Sequence, residues 1–193
     1  MRKIKILTLL GSPRVGGNSQ ILLEETLKGI KELGHEIISF RPSHMNISPC
    51  LNCGGCDETG QCIIDDDMNE VYPVIREADR IVLVSPIFFF GLTAQIKALI
   101  DRCQALWCEK YLLNKPLPQG EYGRKGLLIL VGGMKKEKGF TSSNATATAF
   151  FRTISVPEHD ILSYPGVDAK GAIKNHPSAL NEVYEAGKKI VQP

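Results

Sequence analysis

The sequence predicts an α/β protein built on a doubly wound, five-stranded parallel sheet. Two observations carry this. Five short apolar runs, at 3–10, 35–42, 80–86, 126–133 and 159–166, are continuous rather than alternating, as suits strands covered on both faces. Segments of helical period or helical ends separate them, so βα units recur in series and imply right-handed crossovers. At 193 residues the chain is long enough for one well-buried domain and short for two. It has no repeat, low-complexity tract or linker, so we expect a single domain over 1–193 with a cysteine-rich loop at 49–62.

The elements follow in order. "KIKILTLL" is the first strand and "GSPRVGGNS" a turn. The next helix carries apolar Ile21, Leu22, Leu27, Ile30 and Leu33 at helical spacing and stops at Gly34. "HEIISFRP" is the second strand, followed by the cysteine loop. "DDDMNEVYPVIREAD" is a helix opened by acids that suit its N-terminus, with Pro73 marking a first-turn position or a kink. "RIVLVSP" is strand three and 93–107 one strong helix. A long connection with two prolines and two glycines leads to strand four, "GLLILVGG". A helix over "SSNATATAFFRTI", strand five, and a closing helix with Pro177 near its start complete the chain.

Composition is that of an ordinary soluble globular protein, 43% apolar and 23% charged. The net charge of +2 gives no case for nucleic acid or an anionic membrane as partner. The basic, then apolar, start is broken by Lys5 and has no small-residue cleavage site, so it reads as a strand rather than a signal peptide. No run approaches bilayer-spanning length. A cytoplasmic setting follows as the expectation, and there thiols stay reduced.

In a doubly wound sheet, ligands sit beyond the C-terminal strand ends. The first such loop, "GSPRVGGNSQ", offers glycines, the hydroxyls of Ser12 and Ser19, the Asn18 amide and the Arg14 cation, running into a helix N-terminus. That is chemistry for a phosphate monoester. It is not a P-loop, because Gly17 stands where lysine is needed; nor is it a dinucleotide fingerprint, because position 13 is proline. The plainer alternative is a glycine-rich turn that only closes the crossover. After strand three, Pro86, Ile87, Phe88, Phe89, Phe90 and Gly91 put three aromatic rings on the same rim, either as a wall for a flat ligand or as packing or interface surface. Strand four ends in Gly132 and Gly133, which permit close backbone approach. A phosphate nest, an aromatic wall and a bare backbone together suit FMN.

"GSPRVGGNS", "SPIFFFGLTAQIKALIDR" and the Gly132–Gly133 pair also resemble the flavodoxin-like NAD(P)H-dependent FMN reductase family, over essentially the whole chain. With "PCLNCGGCDETGQC" and the trailing "DDDM", the resemblance is to its iron–sulfur flavoproteins. It implies a flavodoxin-like sheet of order 2-1-3-4-5. It implies one FMN and one [4Fe–4S] cluster per subunit, and a homodimer or homotetramer. It further implies phosphate contacts from Ser12, Arg14, Asn18 and Ser19, and ring contacts from Pro86–Gly91, Gly132 and Gly133. One departure is that related sequences often carry tyrosine within the loop where this chain reads Phe88-Phe89-Phe90.

The cysteine loop reads Cys50-x2-Cys53-x2-Cys56-x5-Cys62. Compact Cys-x2-Cys-x2-Cys runs are a common arrangement for iron–sulfur clusters, which take four thiolates, and the longer arm lets Cys62 return to the same centre. Gly54, Gly55 and Gly60 give the backbone freedom this needs. The rivals are zinc, usually held by two separated Cys-x2-Cys knuckles; a Cys53–Cys56 redox dithiol, for which no helix N-terminus is at hand; and a loop that binds nothing. Cys103 reads as core filler, and Cys108 as no more than that.

Asp65, Asp66 and Asp67 read as capping and dipole complements, and "KKEK" (135–138) as a solvated loop. The histidines are scattered and no GxSxG is present. The expected function is an FMN protein with a [4Fe–4S] cluster, moving electrons between a one-electron donor such as ferredoxin and an acceptor. The cofactors would carry the chemistry, with no catalytic side chain required. Two alternatives stand beside it: a cluster-free NAD(P)H-dependent FMN or quinone reductase, and a non-enzymatic FMN carrier.

Overall fold

The computed structural model describes residues 3–31 and 34–192. The elements run β1 (Lys5–Leu10), α1 (Asn18–Lys31), β2 (Glu36–Phe40), α2 (Met68–Glu77), β3 (Arg80–Pro86), α3 (Ala94–Arg102), α4 (Gln104–Trp107), a π-helical turn (Cys108–Leu112), β4 (Lys125–Gly132), α5 (Lys138–Thr153), β5 (His159–Pro165) and α6 (Ala179–Ile190). All strand pairings are parallel and the sheet order is β2-β1-β3-β4-β5. Leu33, the last apolar position expected of the first helix, lies outside the described residues.

The two-residue period of the strands divides the core in two. Leu7, Leu9, Ile81, Leu83, Leu128 and Leu130 face α2, α3 and α5. Ile6, Leu10, Val82, Val84, Leu127, Ile129 and Val131 face α1 and α6. Burying each such side chain contributes about 1.5–3 kcal/mol before entropy is counted. α1 and α6 meet almost backbone to backbone: a Cβ at Gly29 would lie 2.3 Å from the Tyr184 carbonyl oxygen, and one at Gly187 2.2 Å from that of Thr26.

Burial on both faces holds for β1, β3 and β4 but not for the two edge strands, β2 and β5, which lack a neighbour on one side and are half exposed. The helix expected over 93–107 is broken at Cys103, where the Tyr72 hydroxyl donates to the Arg102 carbonyl at 2.8 Å. The helix expected from Ser142 begins earlier, at Lys138, and takes in the end of the lysine-rich stretch. Pro73 lies inside α2 rather than in its first turn.

Candidate functional site

The first loop is shaped by local hydrogen bonds. Gly11 N–H donates to the Val84 carbonyl at 2.7 Å, and the Thr93 hydroxyl to the Gly11 carbonyl at 2.5 Å. A Cβ at Gly11 would meet the Ser85 hydroxyl at 2.9 Å, so glycine is needed where strand and loop approach so closely. Gly16, at φ +64°, donates to Gln20 Oε1 at 2.8 Å, and α1 starts two residues later. Asn18 is committed internally: its amide donates to the Ala169 carbonyl at 3.0 Å and accepts from Ile173 N–H at 3.3 Å.

These bonds frame a cleft at the C-terminal ends of β1, β3 and β4. Of the residues expected from the sequence, Ser12, Arg14, Asn18, Ser19, Pro86, Ile87, Phe88, Gly132 and Gly133 line it together; Phe89, Phe90 and Gly91 do not. Gly17, Val131, Val167 and Asp168 also line it. Val167 and Asp168 belong to the loop after β5, "GVDAKG", to which the same strand-end rule points; Asp168 packs where a Cβ on Gly133 would lie 2.8 Å from its own.

Phe88 and Gly91 exchange hydrogen bonds, 2.9 Å and 3.0 Å, closing a two-residue hairpin turn. Its central residues, Phe89 and Phe90, have φ +48° and +63°. This left-handed backbone is favoured by Asn-Gly and strained for phenylalanine. Phe89 is fully exposed, while Phe90 is held by the Ser142 hydroxyl, which donates to its carbonyl, and has the Lys138 ammonium 5.7 Å above its ring.

The cleft fits the phosphate of FMN on an observation of its own: Ser19 Oγ is buried in its wall with no hydrogen-bond partner among the described residues. A buried orphan hydroxyl costs free energy unless a ligand satisfies it. Arg14 and the start of α1 give the same cleft its positive side.

Cys50, Cys53, Cys56 and Cys62 line one cavity, with Arg102, Gln104 and Ala105 in its wall. The loop turns through Asn52, Gly54 and Gly60, all at positive φ, and Asn52 N–H donates to Cys50 Sγ at 3.5 Å. All four are free thiols and none is deeply buried. Four thiols around one cavity match the donor set of a [4Fe–4S] cluster. Arg102 Nε is buried in that wall without a hydrogen-bond partner among the described residues, a cationic donor beside a site for thiolates.

Although the cysteine loop follows the C-terminal end of β2, its cavity lies at the Arg102 end of α3, opposite the end that meets the cleft. Residues 41–48 carry the chain across, with Met45 and Ile47 packed on the core. Its stem is held by the buried pair Arg102–Asp66, at 2.6 Å. Asp66 thus does more than cap, although its Oδ1 does accept from Met68 N–H at 3.0 Å.

Cys103 is core filler, as expected, and burial pushes its thiol up to about 12. Cys108 is not merely that. Its Sγ lies 3.6 Å from that of Cys56 and 3.3 Å from Asp57 Oδ1. Burial, then its bonds to Cys56 and Asp57, push its thiol up to about 12. The sequence hides this contact because the partners are 52 residues apart and Cys108 starts a π-helical turn that departs from α-helical spacing.

The profile of the NADPH-dependent FMN reductase family matches residues 4–164. An iron–sulfur flavoprotein of Methanocaldococcus jannaschii is 31% identical over 98% of this chain and 96% of its own length. An iron–sulfur flavoprotein of Archaeoglobus fulgidus is 38% identical over 66% of this chain, and one of Methanosarcina thermophila 34% over 68%; these matches span only 62% and 65% of those two proteins. Among solved structures, an NAD(P)H:quinone oxidoreductase from Methanothermobacter marburgensis superposes with a TM-score of 0.74, covering 100% of this chain and 99% of that one at 15% identity, a likeness of fold. The chain belongs to the NADPH-dependent FMN reductase family, a class of flavin-dependent oxidoreductases. No helix among the described residues is long and apolar enough to cross a membrane.

Proposed function

We propose that this chain is an FMN-dependent oxidoreductase that also carries a [4Fe–4S] cluster, moving electrons between a one-electron donor of the ferredoxin kind and an acceptor. The observation that carries the reading is the convergence of Cys50, Cys53, Cys56 and Cys62 on one cavity, in a chain that also builds a phosphate-binding cleft. The relatives named iron–sulfur flavoproteins support it.

FMN interconverts two-electron and one-electron chemistry, and an iron–sulfur cluster carries single electrons. The protein's part is to bind and orient. Arg14 supplies positive charge for the phosphate, and Ser12 and Ser19 supply hydroxyls. Asn18 keeps the 169–173 segment, and with it Asp168, against the cleft. Gly132 and Gly133 let the backbone come close, while Ile87, Phe88 and Val131 keep water from the buried side. At the other end of α3, Arg102 offers its free Nε–H to the thiolate cavity.

Exposed Leu51 and Ile63 flank the cysteine loop. A second copy laid over them would shield the cavity from water, which supports a homodimer or homotetramer. The test is anaerobic purification with iron, sulfide and FMN assayed per chain. About four iron, four sulfide and one FMN is the expected result. FMN without iron or sulfide after attempted reconstitution would move the reading to a cluster-free NAD(P)H-dependent FMN or quinone reductase.

A further inference from the structure

Cys56 belongs to two constellations. It lines the four-cysteine cavity beside Asp57, and the two also stand with Cys108, which does not line that cavity, in a group whose ligand atoms all lie within 4.8 Å of one another. Neither Asp57 nor Cys108 belongs to the Cys-x2-Cys-x2-Cys-x5-Cys spacing.

We propose that Cys56, Asp57 and Cys108 form a mononuclear site for a thiophilic divalent cation of the Zn²⁺ type. Two thiolates at about 2.3 Å and a carboxylate oxygen at about 2.0–2.2 Å from a tetrahedral metal stand roughly 3.5–3.8 Å from one another. The observed edges are 3.6 Å between the two sulfurs and 3.3 Å from Cys108 Sγ to Asp57 Oδ1. Two edges of one tetrahedral face are therefore already near the required spacing, and the third, Cys56 Sγ to the Asp57 carboxylate, lies within 4.8 Å, leaving the fourth position for water. Sulfur-rich donors with one carboxylate select such a cation over Mg²⁺ or Ca²⁺.

The surroundings suit the role. Gln104 Nε2 lies 3.6 Å from Cys108 Sγ, placed to donate to it as a thiolate and fix its direction. Cys108 sits at the start of a π-helical turn, which sets its direction apart from the α-helical register. Binding deprotonates the two thiols and releases their protons to solvent, so affinity rises with pH.

Because Cys56 is shared, a cation held here withdraws one thiolate from the four-cysteine cavity. This consequence rests on the cluster reading; the site itself does not. Zn²⁺ loading and cluster assembly then exclude each other in the wild-type chain, and removing Cys108 lifts the exclusion.

The test is anaerobic titration of the full, metal-free chain with Co²⁺, followed by displacement with Zn²⁺, reading the thiolate-to-cobalt and tetrahedral ligand-field absorption. Wild type is expected to bind one Co²⁺ with a two-thiolate spectrum. Cys108→Ser and Asp57→Asn are expected to weaken it by about tenfold or more, while Cys53→Ser and Cys62→Ser leave it within about twofold. Asp57 is exposed, so its variant reports on the site even if Cys108→Ser disturbs packing. No Co²⁺ binding, or binding lost with Cys53 and Cys62 but kept without Cys108, would overturn the proposal. Iron and sulfide uptake by the same variants is scored separately: failure of every variant and wild type to assemble a cluster would defeat the cluster reading and leave the Co²⁺ result standing.

Discussion

Arg102 Nη1 donates to Asp66 Oδ2 at 2.6 Å, and neither side chain is open to solvent. The pair closes the cysteine loop at both ends. Arg102 also donates to the carbonyls of Ser48 and Ile64, at 3.0 and 3.2 Å, and Asp66 accepts from Ser48 N–H at 2.9 Å. Residues before and after the four thiols are thereby tied to the end of α3. Arg102→Leu would strand a buried carboxylate and cut three bonds to the stem. The expected loss is about 3–5 kcal/mol, read by urea unfolding. Arg102→Lys should recover little of it, because one ammonium cannot reproduce the planar fork. A loss under ~1 kcal/mol in Arg102→Leu would mean the stem is held by other contacts.

The same pair sets a pH dependence. Burial works against the Asp66 charge, but hydrogen bonds from Arg102, Ser48 and Met68 outweigh it and hold its carboxyl below the usual range. A depressed folded-state pKa contributes stability that is complete above the unfolded value, about 3.9, and is lost as pH falls through the folded value. The urea midpoint should therefore hold from neutrality to about pH 5 and then decline. Asp66→Asn should start lower and decline less steeply. Parallel acid limbs in the two proteins would assign the decline to other carboxylates.

Sequence reading went furthest where a rule ties residue type to position. Continuous apolar runs gave the parallel sheet, and the strand-end rule brought Ser12, Ser19, Pro86 and Gly132 to the rim where the cleft lies. The same rule extends to the loop after β5, where Val167 and Asp168 join the lining without a glycine-rich or aromatic motif to mark them. Contacts between distant segments left no local trace. Asp66 looked like one more acid at a helix start, because its partner is 36 residues on. Cys108 looked like filler for the same reason, since Cys56 is 52 residues away. Three consecutive phenylalanines suit a ligand wall, helix–sheet packing or a subunit interface alike, so the sequence does not single out Phe89 as the ring left in solvent.

Ser19 offers a sharp separation of stability from binding. Its hydroxyl is buried without a partner among the described residues, so Ser19→Ala should leave the FMN-free chain as stable as wild type or slightly more so. If the hydroxyl serves a phosphate, the same change removes a charge-assisted bond of about 1.5–3 kcal/mol and weakens FMN binding about tenfold to a hundredfold. Fluorescence titration of the metal-free chain with FMN, beside its urea midpoint, checks both. Equal FMN affinity in the variant would place the phosphate elsewhere.

The Phe88–Gly91 turn should show the opposite trade. Left-handed backbone costs an ordinary residue about 1–2 kcal/mol, and Phe89 and Phe90 both adopt it. Phe89 recovers nothing from burial within the chain, since its ring is fully exposed. Phe90 has its Ser142 and Lys138 contacts, but at Phe89 the strain is offset only by something the isolated subunit lacks, and an exposed ring near the cleft suits contact with a second copy or with the face of a bound flavin. Phe89→Asn with Phe90→Gly supplies the residues that the turn favours. The double variant should unfold at higher urea, by about 1–3 kcal/mol, while its FMN affinity or its assembly in light scattering falls. Lower stability would show that the rings are held by contacts inside the subunit. Higher stability with both FMN affinity and assembly unchanged would show that the strain serves neither.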